Sequence, residues 1–460
     1  MDMPDWKEVL DETLQYAVRY LDGLPERPIG GTATLAELRA ALDGPLPQGP
    51  QDPRAVIASL AAAADPGVVA SASGRFFGFV VGGATPAALA ADWLTSVWDQ
   101  NAGLHVLGPS AAVVEQVAAR WLAELLGLPA GISAGFVTGA QMANFTALAI
   151  ALRDVLGRAG WDVARAGLWG APPVRILAGR GRHGTIDRAL RFLGAGTGTI
   201  VEVDMDEQGR MRPAALRAEL DRDAGPAIVC AQLGNVNSGA LDPVGEICDL
   251  ARPRGAWVHV DGAFGLWAAA SPRLRPLVAG VDRADSWATD AHKWLNVPYD
   301  SGLVFCAHPA AHRATMGTRA GYLVHGADDE RDALDYGPEH SRRARGFAVY
   351  AAIRALGRDG IADLVDRCCA LAARFADRLS AAGVEVLGEV VLNQVLVRFP
   401  GDDARTRSVI AGVQRDGTCW MSGTTWQGRA AMRISVSNWS TTVDDVDRSV
   451  AAILRCAGQA

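Results

Sequence analysis

Apolar positions change their period several times along this chain. Leu10, Leu14, Ala17 and Leu21 recur at helical spacing and predict a helix over residues 1 to about 24. A Pro/Gly-rich stretch follows from Gly23 to Pro53, broken by a short helical pattern at 34–42, and reads as a wrapped arm or linker. From about 84 to 158 the pattern is helical again, interrupted at Gly108-Pro109, Leu128-Pro129 and 131–139. Short apolar runs at 174–178, 199–203, 227–233, 256–260, 286–289 and 302–306 then have the length and composition of buried strands. Helical stretches at 184–193, 213–221 and 243–253 fall between them. This alternation predicts an α/β domain on a mostly parallel sheet with covered faces and right-handed crossovers.

The rhythm stops near residue 310. Residues 311–342 carry Gly, Asp, Glu, His and two tyrosines with little periodicity, as an active-site lid or a disordered segment would. Helical patterns return at 345–357 and 360–381, strands are expected near 394–399 and 431–436, and a last helix over 442–457 completes a smaller α+β unit. No internal repeat or low-complexity tract interrupts this order.

A length of 460 residues suggests two or three domains, and 49% hydrophobic with 21% charged residues describes a globular chain. The net charge of −7, without a Lys/Arg block, gives no footprint for nucleic acid. No uninterrupted apolar span reaches the ~18 residues of a membrane helix. The acidic start, Met1 to Glu8, lacks a signal pattern, so a cytoplasmic address is expected. Seven cysteines without a CxxC pair read as free thiols in a reducing compartment, and no metal site is indicated.

Lysine usage changes the picture. Of 44 basic residues only Lys7 and Lys293 are lysines. Arginine cannot form an imine because its guanidinium stays protonated, so a lysine kept after a strand among polar residues is a candidate Schiff-base former. Lys7, in the charged first helix, reads as a surface cation. Lys293 lies in DAHKWLN (290–296). Three other segments, each weak alone, join it. The stretch from Gly135 to Asn144 runs from a strand through Gly139 into a helix, whose N-terminal amides suit an anion. His183, in GRHGT (181–185), follows a strand at the end where open α/β sheets bind ligands. Asp261, in HVDGAFG (259–265), ends another strand, where a carboxylate could cap a turn or hold a proton on a pyridine nitrogen. Anion loop, histidine, carboxylate and isolated lysine together converge on pyridoxal 5'-phosphate.

With those motifs the chain resembles the pyridoxal-phosphate-dependent decarboxylases of the aromatic-amino-acid, glutamate and histidine type (group II) from about residue 70 to its end. SRRARG (341–346) and MRISVSN (432–438) support the resemblance. It implies a fold of the aspartate-aminotransferase type (fold type I), with a mostly parallel seven-stranded central sheet and a smaller C-terminal α+β domain. The implied division is an N-terminal helical arm at 1–65, a large cofactor-binding domain at 66–310, a mobile active-site loop and linker at 311–344, and a small domain at 345–460. It further implies Lys293 as the internal aldimine, Asp261 on the pyridine nitrogen, His183 on one ring face and Ala263 on the other, and His292 with Gly139, Ala140 and Gln141 around the phosphate. The implied reaction is decarboxylation of an L-amino acid to its amine through a quinonoid, in a homodimer that binds neither nucleic acid nor membrane.

Departures from the family pattern set further expectations. The anion loop has few hydroxyl donors, and Asp290 stands where an asparagine is common; a carboxylate beside a phosphate is unfavourable, so Asp290 is expected to face elsewhere. Val80, Gly82 and Gly103 replace larger residues, which suggests a wider pocket walled by Phe79, Trp98 and His105. The loop tyrosine of aromatic-amino-acid decarboxylases falls on Ala333, leaving Tyr322, Tyr336 or His325 to reach the substrate. If none does, oxidative decarboxylation-deamination to an aldehyde becomes the alternative. A non-catalytic relative is the other, against which the joint presence of Lys293, Asp261 and His183 argues.

Overall fold

A computed structural model describes residues 5–321, 323, 325 and 330–459. Its centre is a seven-stranded sheet of β1 (Ser133–Val137), β2 (Arg175–Gly179), β3 (Ile200–Val203), β4 (Ala227–Gln232), β5 (Trp257–Asp261), β6 (Ser286–Asp290) and β7 (Gly302–Cys306), in the order β1-β7-β6-β5-β4-β2-β3. Only β7 runs against its neighbours; all other pairs are parallel. Every residue of β1, β5, β6 and β7 is buried, because helices cover both faces. Such strands read as continuous apolar runs in the sequence for the same reason. The pairings Gln232–Asp261 and Asp290–Gly302 align strand ends, so the carboxyl ends of β1, β2, β4, β5 and β6 share one edge.

The C-terminal part forms a second, antiparallel sheet of β8 (Glu385–Val386), β9 (Gln394–Arg398), β10 (Ser422–Trp426) and β11 (Arg429–Ser435), ordered β10-β11-β9-β8. The two helical patterns at 345–357 and 360–381 are two helices within Gly346–Ala381 that meet at a kink, where Gly357 takes φ 64°. β8 and β10 have no counterpart in the expected strands: β8 has two residues and β10 is Thr- and Gly-rich with a half-wet face. The helix Pro53–Ala64 was also not expected from the sequence pattern. Among the described residues no helix is long and apolar enough to cross a membrane, and no group of three His, Cys, Asp or Glu could hold a metal.

Ion pairs and amide bonds join the parts. Arg342 is buried with Glu115 at 2.7 Å and also donates to the carbonyls of Ala102 and Phe136. Arg343 meets Asp92 and Arg345 meets Asp300, each at 2.8 Å, so the SRRARG motif is a row of clasps. Asn296, left-handed at φ 55°, accepts from Gly83 and Trp439 and donates to the Ser437 carbonyl, tying the turn after Lys293 to the C-terminal part.

Candidate active site

β5 delivers the first group. Residues two apart on a strand share a face, so His259 and Asp261 point to the same side, toward the helix Ala140–Arg158. Asp261 is 4% exposed at the strand end, and its carboxylate accepts from Asn144 Nδ2 at 3.2 Å and from the Ala263 amide at 3.3 Å. Burial pushes its carboxyl up; His183, Lys293 and Asn144 oppose that shift, and Asp290 adds to it.

The anion loop lies at the adjoining edge. Gly139 precedes the 19-residue helix Ala140–Arg158, whose first-turn amides lack intrahelical acceptors. Ala140 N–H donates to Asp290 Oδ1 at 2.6 Å, whereas the Gln141 amide has no acceptor among the described residues. Asp290 therefore does not face elsewhere, as expected above; it sits on the loop. The Lys293 cation explains why a carboxylate is tolerated there: its Nζ lies 2.9 Å from Asp290 Oδ2, while His292 Nε2 lies 3.5 Å from Oδ1. The indole of Trp267 holds the Asp290 carbonyl at 3.1 Å. His292 is stacked on Tyr299 at 4.2 Å and accepts from the Ser301 amide; burial lowers its pKa.

His183 caps the helix Gly184–Phe192 after β2, and its backbone amide donates to Gln232 Oε1 at the end of β4. The imidazole is exposed, with Nδ1 facing the Thr185 amide and hydroxyl. That arrangement makes Nδ1 an acceptor and leaves Nε2–H outward. Gln141 Nε2 reaches the Thr185 carbonyl at 3.4 Å, and the Ala263 carbonyl accepts from the Asp290 amide at 2.9 Å. Lys293, Asp261, His183, His292, Ala263 and the 139–141 loop thus come together at one sheet edge.

The residues expected to wall the pocket do not join them within this chain. Phe79 is 58% exposed and stacked on Trp420; Trp98 meets Phe347 edge-on; His105 binds Asp332 through its amide and approaches Glu330 at 3.6 Å. Tyr336 is held beside β1, with the Arg331 guanidinium 3.9 Å over its ring and His312 against its edge. Ala333 is buried in the short turn Ala333–Tyr336. Tyr322 lies outside the described residues, and His325 pairs with Asp332 at 2.8 Å. Gly82 and Gly103 are small for backbone packing and do not widen a pocket: a Cβ would come 2.0 Å from the Lys293 carbonyl at the first and 2.2 Å from the His340 carbonyl at the second.

Sequence reasoning assigned no role to Asn144, Thr185, His259, Asp290 or Ser286, although four of them stand inside or beside the quoted motifs. The alternation of β5 could have singled out His259, because a buried imidazole on the face of Asp261 needs a partner.

The donor set suits an aromatic aldehyde that carries a phosphate. A primary amine faces the cleft, an anion-binding helix end with a spare amide stands beside it, and an oxyanion (Asp290) already engages that helix end. A carboxylate on the strand next but one to β7 supplies the partner for a ring nitrogen. Residues 36–399 match the family described as "Pyridoxal-dependent decarboxylase conserved domain". The chain is 26% identical to the aromatic-L-amino-acid decarboxylase of Bacillus atrophaeus, over 95% of this chain and 92% of that one. It is 32% identical to the L-2,4-diaminobutyrate decarboxylase of Rhizobium meliloti (strain 1021), over 80% and 74%. A phenylacetaldehyde synthase from a Rosa hybrid cultivar is 23% identical over 78% and 72%. In structure the chain is similar to Oryza sativa TDC with PLP and tryptamine, with a TM-score of 0.92, 23% identity, and 98% and 97% covered.

Proposed function

Because this chain belongs to the family of pyridoxal-dependent decarboxylases, we propose that it converts an L-amino acid to the corresponding amine at the Lys293–Asp261 cleft. It is an enzyme of the carboxy-lyase type, and its cofactor is pyridoxal 5'-phosphate. The observation that carries the proposal is the convergence at one sheet edge of Lys293 Nζ, the buried Asp261 carboxylate and the 139–141 helix end.

When bound, the cofactor supplies an electron sink for the pair released as Cα loses CO₂. Lys293 is the amine that would hold its aldehyde carbon, and the substrate amine would displace it. Asp261 would keep a proton on the ring nitrogen; its burial makes that charge pair strong, because little water competes. The free Gln141 amide and His292 would hold the phosphate, with the Ala140 amide shared between it and Asp290. His183 presents Nε2–H at the mouth of the cleft, where it would orient the substrate carboxylate.

The proton returned to Cα separates two outcomes. Tyr336 is clamped between Arg331 and His312, and Ala333 carries no acid. This favours, as the second reading, an aldehyde-forming reaction in which O₂ takes the electrons that a proton would otherwise quench. The test is cofactor-loaded protein incubated in air with aromatic L-amino acids, acidic L-amino acids and L-2,4-diaminobutyrate, with products read by mass spectrometry and O₂ by electrode. Amine without O₂ uptake is expected. Aldehyde with ammonia and matched O₂ uptake would establish the second reading. Absence of a visible cofactor band on adding pyridoxal phosphate would overturn both.

A homodimer is part of this proposal. The helix Trp6–Gly23 buries none of its residues, and Trp6, Leu10, Leu14, Val18 and Leu21 form an uncovered apolar stripe along it. Leu94, Val97, Trp98, Val106 and Leu107 are exposed as well. Light scattering should give twice the 48.3 kDa chain mass; a monomer at micromolar concentration would remove this part.

A further inference from the structure

A buried polar chain runs behind the cleft, and each of its bonds has a defined direction. Trp257 Nε1–H donates to Ser286 Oγ at 2.9 Å. Ser286 Oγ lies 3.0 Å from His259 Nδ1, and His259 Nε2 lies 2.9 Å from Asn144 Oδ1. Asn144 Nδ2 sends one N–H to Asp261 Oδ2 at 3.2 Å and the other to Thr185 Oγ1 at 3.1 Å. Thr185 Oγ1 in turn faces His183 Nδ1 at 3.0 Å.

The directions follow from donor inventory. Asn144 Oδ1 has only lone pairs, so His259 must carry its proton on Nε2. His259 is fully buried and burial pushes it down to about 3, so it is neutral and Nδ1 is bare. Ser286, already accepting from Trp257, gives its proton to that nitrogen. At the other end Thr185, accepting from Asn144, is free to donate to His183. Asn144, His259 and Ser286 are each 0% exposed, so water cannot replace a lost partner.

We propose that Asn144 is a positioning residue for both Asp261 and His183, with its amide locked in one orientation by His259, Ser286 and Trp257. Locked, the amide can only donate to Asp261, which favours the ionised carboxylate that a protonated ring nitrogen needs. Rotated by 180°, it would set oxygen against oxygen at Asp261 and N–H against N–H at His259. The first clash is relieved only if Asp261 takes up a proton. The same donation to Thr185 directs the hydroxyl toward His183 Nδ1, fixing the tautomer that shows Nε2–H to the cleft. Besides His183 at the end of this chain, the titratable groups that face Asp261 are Lys293, Asp290 and the buried Cys230.

This inference rests on the cofactor reading above, and the experiment separates the two. Cofactor-loaded parent, His259→Leu, His259→Gln and Ser286→Ala proteins are compared without substrate. Two quantities are read: the dissociation constant for pyridoxal phosphate and the pH midpoint of the visible cofactor absorbance. Gln keeps a donor near the position of Nε2, whereas Leu removes it. His259→Leu is expected to weaken cofactor binding about tenfold, the scale on which partners behind a metal ligand act. It should also move the midpoint by about one unit, while His259→Gln stays within about threefold and a few tenths of a unit. Ser286→Ala, a small change that spares the packing, should move the midpoint the same way by less. Equal behaviour of His259→Leu and parent, or of His259→Leu and His259→Gln, would overturn the proposal. Should His259→Leu not fold by circular dichroism, an unmoved midpoint in Ser286→Ala would do so. A parent that shows no visible band at all would instead overturn the cofactor reading.

Discussion

Gly82→Ala is the smallest substitution expected to disable the cleft. A Cβ on residue 82 would stand 2.0 Å from the Lys293 carbonyl oxygen and 3.1 Å from both the Lys293 carbonyl carbon and Asn296 Cγ. Contacts below 3.0 Å are essentially never made by a real Cβ, so the two backbones must separate by about 1 Å. Neither side yields easily. Asn296 clamps the Lys293 turn to Gly83 and to the C-terminal part, and Asn438 holds the carbonyls of Ala72 and Ser73. Overpacking of this kind costs about 1–3 kcal/mol of stability. A ~1 Å misplacement at the reacting centre costs about a hundredfold in rate, about 2.7 kcal/mol and so of the same order as the stability loss.

The assay is CO₂ release by cofactor-loaded protein on whichever amino acid serves as substrate, alongside a thermal melt and the visible absorbance. Gly82→Ala should fold, melt somewhat lower, and lose about two orders of magnitude in kcat. Gly157→Ala is the control: that glycine is exposed near the end of the helix Ala140–Arg158 with nothing within 4 Å of the added carbon, so parent activity and a slight gain in stability are expected. Activity in Gly82→Ala within a factor of about two of the parent would refute the claim that Gly82 fixes Lys293.

Four further outcomes follow from the same geometry. Lys293→Ala should abolish turnover and the covalently held visible band; normal turnover would remove the basis of the mechanism. Asp261→Asn should lower kcat about a hundredfold or more, with cofactor still detectable by absorbance. Arg342→Leu leaves the Glu115 carboxylate buried and unpaired and should cost about 3–5 kcal/mol in denaturant unfolding, much of it recovered when Glu115→Leu is added. Two buried histidines contribute to acid sensitivity: burial pushes His259 and His312 down to about 3, so between 6.5 and 3 each carries in the unfolded chain a proton that it lacks in the folded one. Stability therefore falls with pH by about 1.4 kcal/mol per unit for each histidine. Asp242, pushed up to about 6, offsets one of them between 6 and 3.8, because the folded state takes that proton first. His312→Gln should accordingly flatten the pH 6 to 5 change in unfolding free energy by about 1.4 kcal/mol, and an unchanged slope would contradict the assignment.

What could be read in the chain alone divides along a physical line. Six of the seven central strands were visible as short apolar runs, and only their ends move, as from 256–260 to Trp257–Asp261; β1, rich in small residues, was legible only as the strand ahead of the anion loop. β8 and β10 were invisible because a two-residue edge strand and a Thr/Gly-rich one leave no such run. Lys293 was visible because the chain otherwise uses arginine, and Asp261 because a strand-end carboxylate joined the anion loop, the histidine and that lysine in one set. Gly82 misled, since a missing side chain looks the same in sequence whether it opens a pocket or admits a carbonyl. Asn144, His259 and Ser286 were silent for a deeper reason. Each is a single ordinary polar residue in an apolar element, and its meaning lies in which neighbour from another element it meets. A lone buried donor is a cost, and five in line, from Trp257 to Thr185, are a device for fixing proton positions. The residues that react are marked by their type, whereas those that hold them ready are marked only by contact across the sheet.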